Sequence, residues 1–271
     1  SATARRKGGP TMGRKPEPEH TSAGKKKKKK RPIDCLIDFL IPAVLLVGIG
    51  LILYPTISNK WNEMHQSKAI AGYTQAVEAL GAADYTAMLD AAKAYNESLM
   101  GNPDRFSPTE EESEYYHTLL DVQDNGIMGY VEIPSIKVKL PIYHGTDEAI
   151  LQVGAGHLEG ASLPIGGPDT HVAISGHRGL TSATLFSNLN KLAIGDEFYL
   201  HVLNKSMRYQ VREINTVLPD EMELLGIDEG KDLCTLITCT PYGVNSHRLL
   251  VQGERMELEP QNNAETLASA Y

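Results

Sequence analysis

Hydrophobic and polar positions divide this chain into three textures. From Phe39 to Ser58 the sequence FLIPAVLLVGIGLILYPTIS carries no charged residue. Twenty helical residues rise about 30 Å, roughly one hydrocarbon core, so the stretch predicts a single membrane-spanning helix. Beyond it, Ile70, Tyr73, Val77 and Leu80 follow helical spacing, as do Met88, Ala92, Tyr95 and Leu99. Asp84 is a candidate cap for the second of these helices. Ser107-Pro108-Thr109-Glu110 predicts a third start, with Ser at the N-cap and Glu closing a capping box. From about residue 126 the period changes to two. Ile136, Val138, Leu140 and Ile142 alternate with other residues, and the short runs HVAIS, EFYLHVL, MRYQVREI, CTLITC and RLLVQG follow. Many short strands separated by Gly, Pro, Asn and Asp predict a sandwich or barrel. The expected class is mainly β with accessory α-helices.

Charge adds a direction. Residues 1–31 carry 12 Lys+Arg and 2 Asp+Glu, a net of +10, while the remaining 240 residues carry a net of −18. The basic residues sit in a Pro-, Gly- and Lys-rich tail, not across a folded surface, which argues against a nucleic-acid enzyme. Lys25 to Arg31 directly precede the apolar stretch. Basic residues before a span place the N-terminus in the cytoplasm and the body outside it. Tyr54 and Trp61 suit the far interface. A cleaved signal peptide would need a shorter apolar core and a small-x-small site, and neither fits. The expected organisation is a basic cytoplasmic tail (1–32), a span (33–58), a helical extension (59–125), a β domain (126–256) and a polar tail (257–271).

The chain has three cysteines. Cys35 lies at the membrane boundary. Cys234 and Cys239 lie on one predicted strand, about 16 Å apart and on opposite faces, too far for a disulfide. An exported chain that keeps a free thiol calls for a reason, and a nucleophile is one. Cys239 ends the strand 233–239, the loop TPYGVNSH follows, and Arg248 opens the next strand. Paired as a hairpin, Cys239 and Arg248 stand opposite each other with Cβ atoms about 5 Å apart. A guanidinium there lowers a thiol's pKa and can donate to an oxyanion. The plain alternatives are a small buried hydrophobe for Cys239 and a surface charge for Arg248.

His177 sits between Gly176 and Gly179, just past a strand ending near Ser175. That is a fair setting for an acid/base, though the chain has nine histidines and position alone is weak evidence. Gly154, Gly156 and Gly160 miss the dinucleotide spacing, because Glu159 occupies the third position. Neither C-x-x-C nor H-x-x-x-H supports a zinc site, so no metal or cofactor is expected.

These segments carry a resemblance. TLITCTPYGVNSHRLLVQG at 235–253 resembles the catalytic Cys–Arg segment of class C, pilus-assembling sortases, and HVAISGHRGLTSATLFSNLNKL at 171–192 resembles the segment with their catalytic His. GIMGYVEIPSIKVKLPIYHGT and GHLEGASLPIGG match the family's texture. The resemblance covers about 126–255 and implies an eight-stranded closed barrel preceded by a helical extension. It implies Cys239 as nucleophile, His177 as acid/base and Arg248 as the carbonyl-binding residue. The implied substrates are pilin or surface proteins with a Leu-Pro-x-Thr-Gly-like signal, cleaved between Thr and Gly through a thioester. The implied acceptor is an amine, a pilin lysine or a peptidoglycan precursor. Family members often close the cysteine with an Asp-Pro-aromatic lid. Here the loop 101–106 reads Asp104-Arg105-Phe106, making Asp104 and Phe106 candidate lid residues. Many class C members carry a C-terminal span; nothing after Val251 is apolar for long enough, so a truncated or singly anchored chain is expected. The rivals are a sortase that anchors proteins to peptidoglycan, a membrane-tethered cysteine hydrolase and a catalytically silent binding module.

Overall fold

The structure, a computed structural model, describes residues 32–180 and 182–256. Residues 1–31 of the expected basic tail, the expected polar tail and the Cys35 side chain lie outside the described residues. The chain forms two compact units that divide between Ile49 and Gly50. In the first, the described residues are helix only. One helix, α1 (Pro32–Glu78), is long and apolar enough to cross a membrane. Phe39, Ile41, Val44 and Leu45 on it are exposed. No break separates the apolar stretch from the extension at 58/59; α1 runs on, with Gln66, Ile70 and Tyr73 buried and Val77 half-buried at helical spacing.

The second unit adds α2 (Ala82–Leu99) and α3 (Glu110–Thr118), then eight strands. The caps differ from expectation. Gly81, not Asp84, is the N-cap of α2, and Asp84 sits in the first turn, where its charge favours the helix dipole. The capping box of α3 lies two residues later than expected. Thr109 accepts from the Glu112 N–H, and the Glu112 carboxylate accepts from the Thr109 N–H at 2.7 Å. Ser107 is engaged elsewhere: its N–H donates to the Asp104 carbonyl and closes the preceding turn.

The strands are β1 (Ile127–Ile133), β2 (Val138–His144), β3 (Ala155–His157), β4 (Thr170–Ser175), β5 (Glu197–Val202), β6 (Lys205–Val217), β7 (Asp232–Thr240) and β8 (His247–Met256). A short helix, α4 (Glu148–Leu151), joins β2 to β3. The strands close into a barrel in the order β1-β2-β3-β4-β7-β8-β6-β5. Two pairs are parallel, β2–β3 and β4–β7. The second matters most, because it sends the ends of β4 and β7 to the same rim.

Side-chain alternation gives this wall two faces. Val172, Ile174, Cys234, Leu236, Leu249 and Val251 point into the main core. Ala173, Ile237 and Leu250 point the other way, into a smaller cluster with Ala161 and Leu225. Phe106, Leu158, Val217 and Met222 cover that outer cluster. The helical extension is tied to the barrel by buried polar bonds. Tyr73 donates to the Met128 carbonyl at 3.0 Å and accepts from the Leu203 N–H at 2.7 Å. Tyr116 bonds His157 Nδ1 at 2.8 Å.

Candidate active site

Three adjacent strands bring the candidate residues to one rim. In the parallel β4–β7 pair, Ser175 is opposite Ile237. His177 and Cys239 each lie two residues further along, so the register carries them to the same level. Two bonds continue the ladder past its last pair. The Gly176 N–H donates to the Ile237 carbonyl at 3.0 Å, and the buried Thr238 hydroxyl donates to the Gly176 carbonyl at 2.7 Å. Glycine at 176 also leaves room for the Phe186 ring, which a Cβ there would meet at 2.6 Å. On the other side, β7–β8 pairs Cys239 with Arg248 directly. The hairpin strands each reach one residue further than their sequence suggests, to Thr240 and His247. His177, Cys239 and Arg248 are all half-buried, and all three line a cavity of about 360 Å³. Ile237 and Leu250 from the outer cluster also line it. A polar rim on an apolar wall suits a peptide with both apolar side chains and a carbonyl to be attacked.

The environments of the two thiols differ. Cys234 is fully buried, and burial, helped by the Asp232 charge, pushes its thiol well above the ordinary range. It is inert as a nucleophile. Cys239 opens to the cavity, and both are free cysteines. Arg248 donates to the carbonyls of Asn245 and His247 from one nitrogen, Nη1, at 3.3 and 3.2 Å. A guanidinium has five N–H donors, so capacity remains for a substrate oxygen. Among the described residues, no cluster of His, Cys, Asp and Glu could hold a metal.

The loop 101–106 is placed differently from a cover over the thiol. Asp104 is exposed and lines a separate cavity with Tyr95 and Glu112. The structure does not bring it to Cys239. Phe106 packs on the outer cluster that includes Ile237 and Leu250, at the edge of the site. Arg105 fixes the loop, donating to the Gly160 carbonyl at 3.1 Å and the Leu225 carbonyl at 2.6 Å while stacking over Phe106 at 4.3 Å. Gly160 has φ +85°, and a Cβ there would lie 2.1 Å from the Arg105 carbonyl oxygen. Only glycine allows the loop to rest there.

Comparison with known proteins decides the family. The family model for the sortase domain matches residues 131–256. Crystal structures of two relatives superpose on the fold. Sortase C1 from Streptococcus agalactiae is 47% identical, with a TM-score of 0.69 over 71% of this chain and 100% of that one. Streptococcus pneumoniae sortase C is 46% identical, with a TM-score of 0.63 over 70% of this chain and 97% of that one. Sortase A of Bacillus anthracis is 29% identical over 80% of this chain and 93% of its own length. The chain belongs to the sortase family, class C. Sortases are cysteine transpeptidases, and this chain is a sortase-type transpeptidase.

Two residues of this sortase site escape a sequence reading. Glu148, in α4, holds His177: its Oε2 lies 3.1 Å from His177 Nε2. A bond to Gln152, the His177 charge and the His177 bond hold the Glu148 carboxyl below its usual range. Nothing in the sequence around Glu148 signals this, because 29 positions separate the partners. Arg178 reaches across to the hairpin, donating to Thr240 Oγ1 at 3.0 Å and to the Cys239 carbonyl at 3.4 Å. Its signal was adjacency to His177 in the segment SGHRG.

Proposed function

We propose that this sortase cleaves a Leu-Pro-x-Thr-Gly-like signal between Thr and Gly and joins the Thr carbonyl to a pilin lysine. The observation that carries the reading is the row His177–Cys239–Arg248 at the ends of three adjacent strands, lining one cavity. The pilin part is supported by the similar Streptococcus pneumoniae sortase C, which is described with pilin substrate specificity.

Cys239 passes its thiol proton to His177, and its sulfur attacks the Thr carbonyl. Arg248 donates to the oxygen as it becomes anionic, a role worth about 10²–10³ in rate where a single such donor has been removed. The Thr–Gly C–N bond breaks, and His177 gives its proton to the departing Gly amine. The products are a thioester on Cys239 and a neutral His177. An incoming lysine amine then attacks the thioester, passing its proton to His177. The C–S bond breaks, the isopeptide C–N bond forms, and the cysteine returns. Glu148 takes Nε2 of His177 and leaves Nδ1 for the proton exchange.

The test is mass spectrometry of the enzyme with a sorting-signal peptide, followed by addition of pilin or a wall-peptide amine. The expected results are an acyl adduct on Cys239, lost in Cys239→Ala, and lysine-linked pilin ladders. Products formed only with the wall-peptide amine would overturn pilin polymerisation, and release only to water would overturn acyl transfer to amines.

A further inference from the structure

We propose that three amides on α1, Asn59, Asn62 and Gln66, are positioning residues for His177. The proposal rests on the acid/base role given to His177 above. It concerns a helix that lies outside the barrel and contributes no residue to the cavity lining.

The three residues share one face, at intervals of three and four, which continues through Ile70, Tyr73 and Val77. The stripe begins at the residue after the apolar stretch Phe39–Ser58. Below Ile70 it is apolar and packs on the barrel; above Ile70 it is made of amides, and each amide bonds backbone. Asn59 Oδ1 accepts from the Thr184 N–H at 2.7 Å and from the Thr184 hydroxyl at 2.8 Å. Its other end is committed too, since Nδ2 donates to Glu63 at 2.8 Å. Asn62 Nδ2 donates to the Ser182 carbonyl at 2.8 Å. Gln66, which is buried, donates from Nε2 to the Val153 carbonyl at 3.0 Å. Partner chemistry fixes all three amide orientations: a backbone N–H needs an oxygen and a carbonyl needs an N–H.

The segments held are the two that flank His177. Ser182 and Thr184 belong to the loop that leaves His177 and returns at Phe186, whose N–H donates to the His177 carbonyl at 3.1 Å. Fixing Thr184 therefore fixes a chain segment two residues from a direct bond to His177. Val153 follows α4, and its own N–H donates to the Ile150 carbonyl at 3.0 Å, within the helix that carries Glu148. So Asn59 and Asn62 hold the backbone side of His177, while Gln66 holds the element whose carboxylate orients its ring. An acid/base misplaced by a fraction of its hydrogen-bond length loses rate steeply.

The test exploits the donor and acceptor pattern. In the full-length enzyme in detergent or membranes, Asn62→Asp and Gln66→Glu keep shape but lose the donor and set an anion against a carbonyl. Asn59→Asp, made together with Glu63→Gln so that the lost donor does not leave two carboxylates face to face, keeps the oxygen that accepts from Thr184. We expect Asn62→Asp and Gln66→Glu to lower kcat for amine transfer about tenfold with little change in KM, and Asn59→Asp to stay within about twofold of the parent. Asn59→Ala should fall with the first two, and its Thr184 amide should exchange hydrogen faster. Equal kcat in all variants would overturn the proposal. So would equal losses in all of them that track a common fall in melting temperature, the signature of a packing role only. The Thr184 exchange needs no substrate. If the parent enzyme forms no Cys239 adduct, the function reading fails, while unchanged Thr184 exchange in Asn59→Ala sinks the strap by itself.

Discussion

The hairpin that holds Cys239 and Arg248 and the loop that holds His177 solve the same problem in opposite ways. The hairpin is self-registering. Eight consecutive pairs, from Leu233–Glu254 to Thr240–His247, set Cys239 against Arg248, and only the loop between the strands intervenes. The His177 loop has no ladder of its own beyond Gly176. It is held by contacts from far away in sequence: Asn59 to Thr184, across 125 positions, and Glu148 to His177, across 29. A residue placed by strand register is hard to move without unfolding the barrel. A residue placed by side-chain straps can be detuned while the fold stands. Substitutions in the hairpin should therefore act on chemistry, and changes around the His177 side should act first on position.

The largest effect belongs to Arg248→Lys. Lysine keeps the charge but presents a single ammonium in place of the planar fork. It cannot serve the Asn245 and His247 carbonyls and a substrate oxyanion with the same geometry. Thioester formation, followed by mass spectrometry, should slow by about 10²–10³, with an unchanged melting temperature. A loss of stability as large as the loss of rate would mean that Arg248 serves the hairpin and not the carbonyl.

The difference between the two regions also explains what the sequence disclosed. The opposition of Cys239 and Arg248 was legible because a hairpin's register is local arithmetic. The inner and outer faces of β7 were legible from alternation, which separates Cys234 from Cys239. His177 was legible mainly through resemblance. What places it is the parallel β4–β7 register, and β4 and β7 are separated by the β5–β6 hairpin, so no local pattern reports it. Glu148 was missed for the same reason. The loop 101–106 departed from expectation through one residue: Arg105 spends its guanidinium on the Gly160 and Leu225 carbonyls, and Asp104 is left in solvent.

Acid should separate the regions next. His157, on β3, is fully buried, and burial pushes its pKa down to about 4. The unfolded chain takes up this proton below about pH 6.5, whereas the folded one does not until about pH 4. Its contribution to stability is therefore complete above 6.5 and lost as pH falls towards 4, about 2 kcal/mol of it by pH 5. Burial lowers His144 and His171 in the same direction. β3 pairs with β4 through His157–Ile174, so the weakening falls on the strand that leads to His177. Urea unfolding at pH 7 and pH 5 should show the drop, and His157→Gln should lessen it, leaving the share of His144 and His171. Amide exchange at pH 5 should rise in β3 before it rises in β7 and β8. Simultaneous loss of protection in both regions would break the distinction between them.

The smallest effect probes one of the bonds where the two regions meet. Thr238 belongs to the hairpin, and its buried hydroxyl donates to the carbonyl of Gly176, the residue before His177. Valine has the same shape and no donor, so Thr238→Val leaves that carbonyl lacking its side-chain partner and sets a methyl against it. The cost should be about 1–2 kcal/mol in unfolding free energy. The neighbouring bond from the Gly176 N–H to the Ile237 carbonyl remains, so the strand end stays docked. Because Cys239 keeps its register with Arg248, alkylation of the thiol should proceed at the parent rate. His177, by contrast, loses one of the bonds that set its backbone, and kcat should fall by several-fold. If alkylation slowed along with kcat, the hairpin would not be self-registering, and the position of the nucleophile would depend on the His177 loop as much as the loop depends on it.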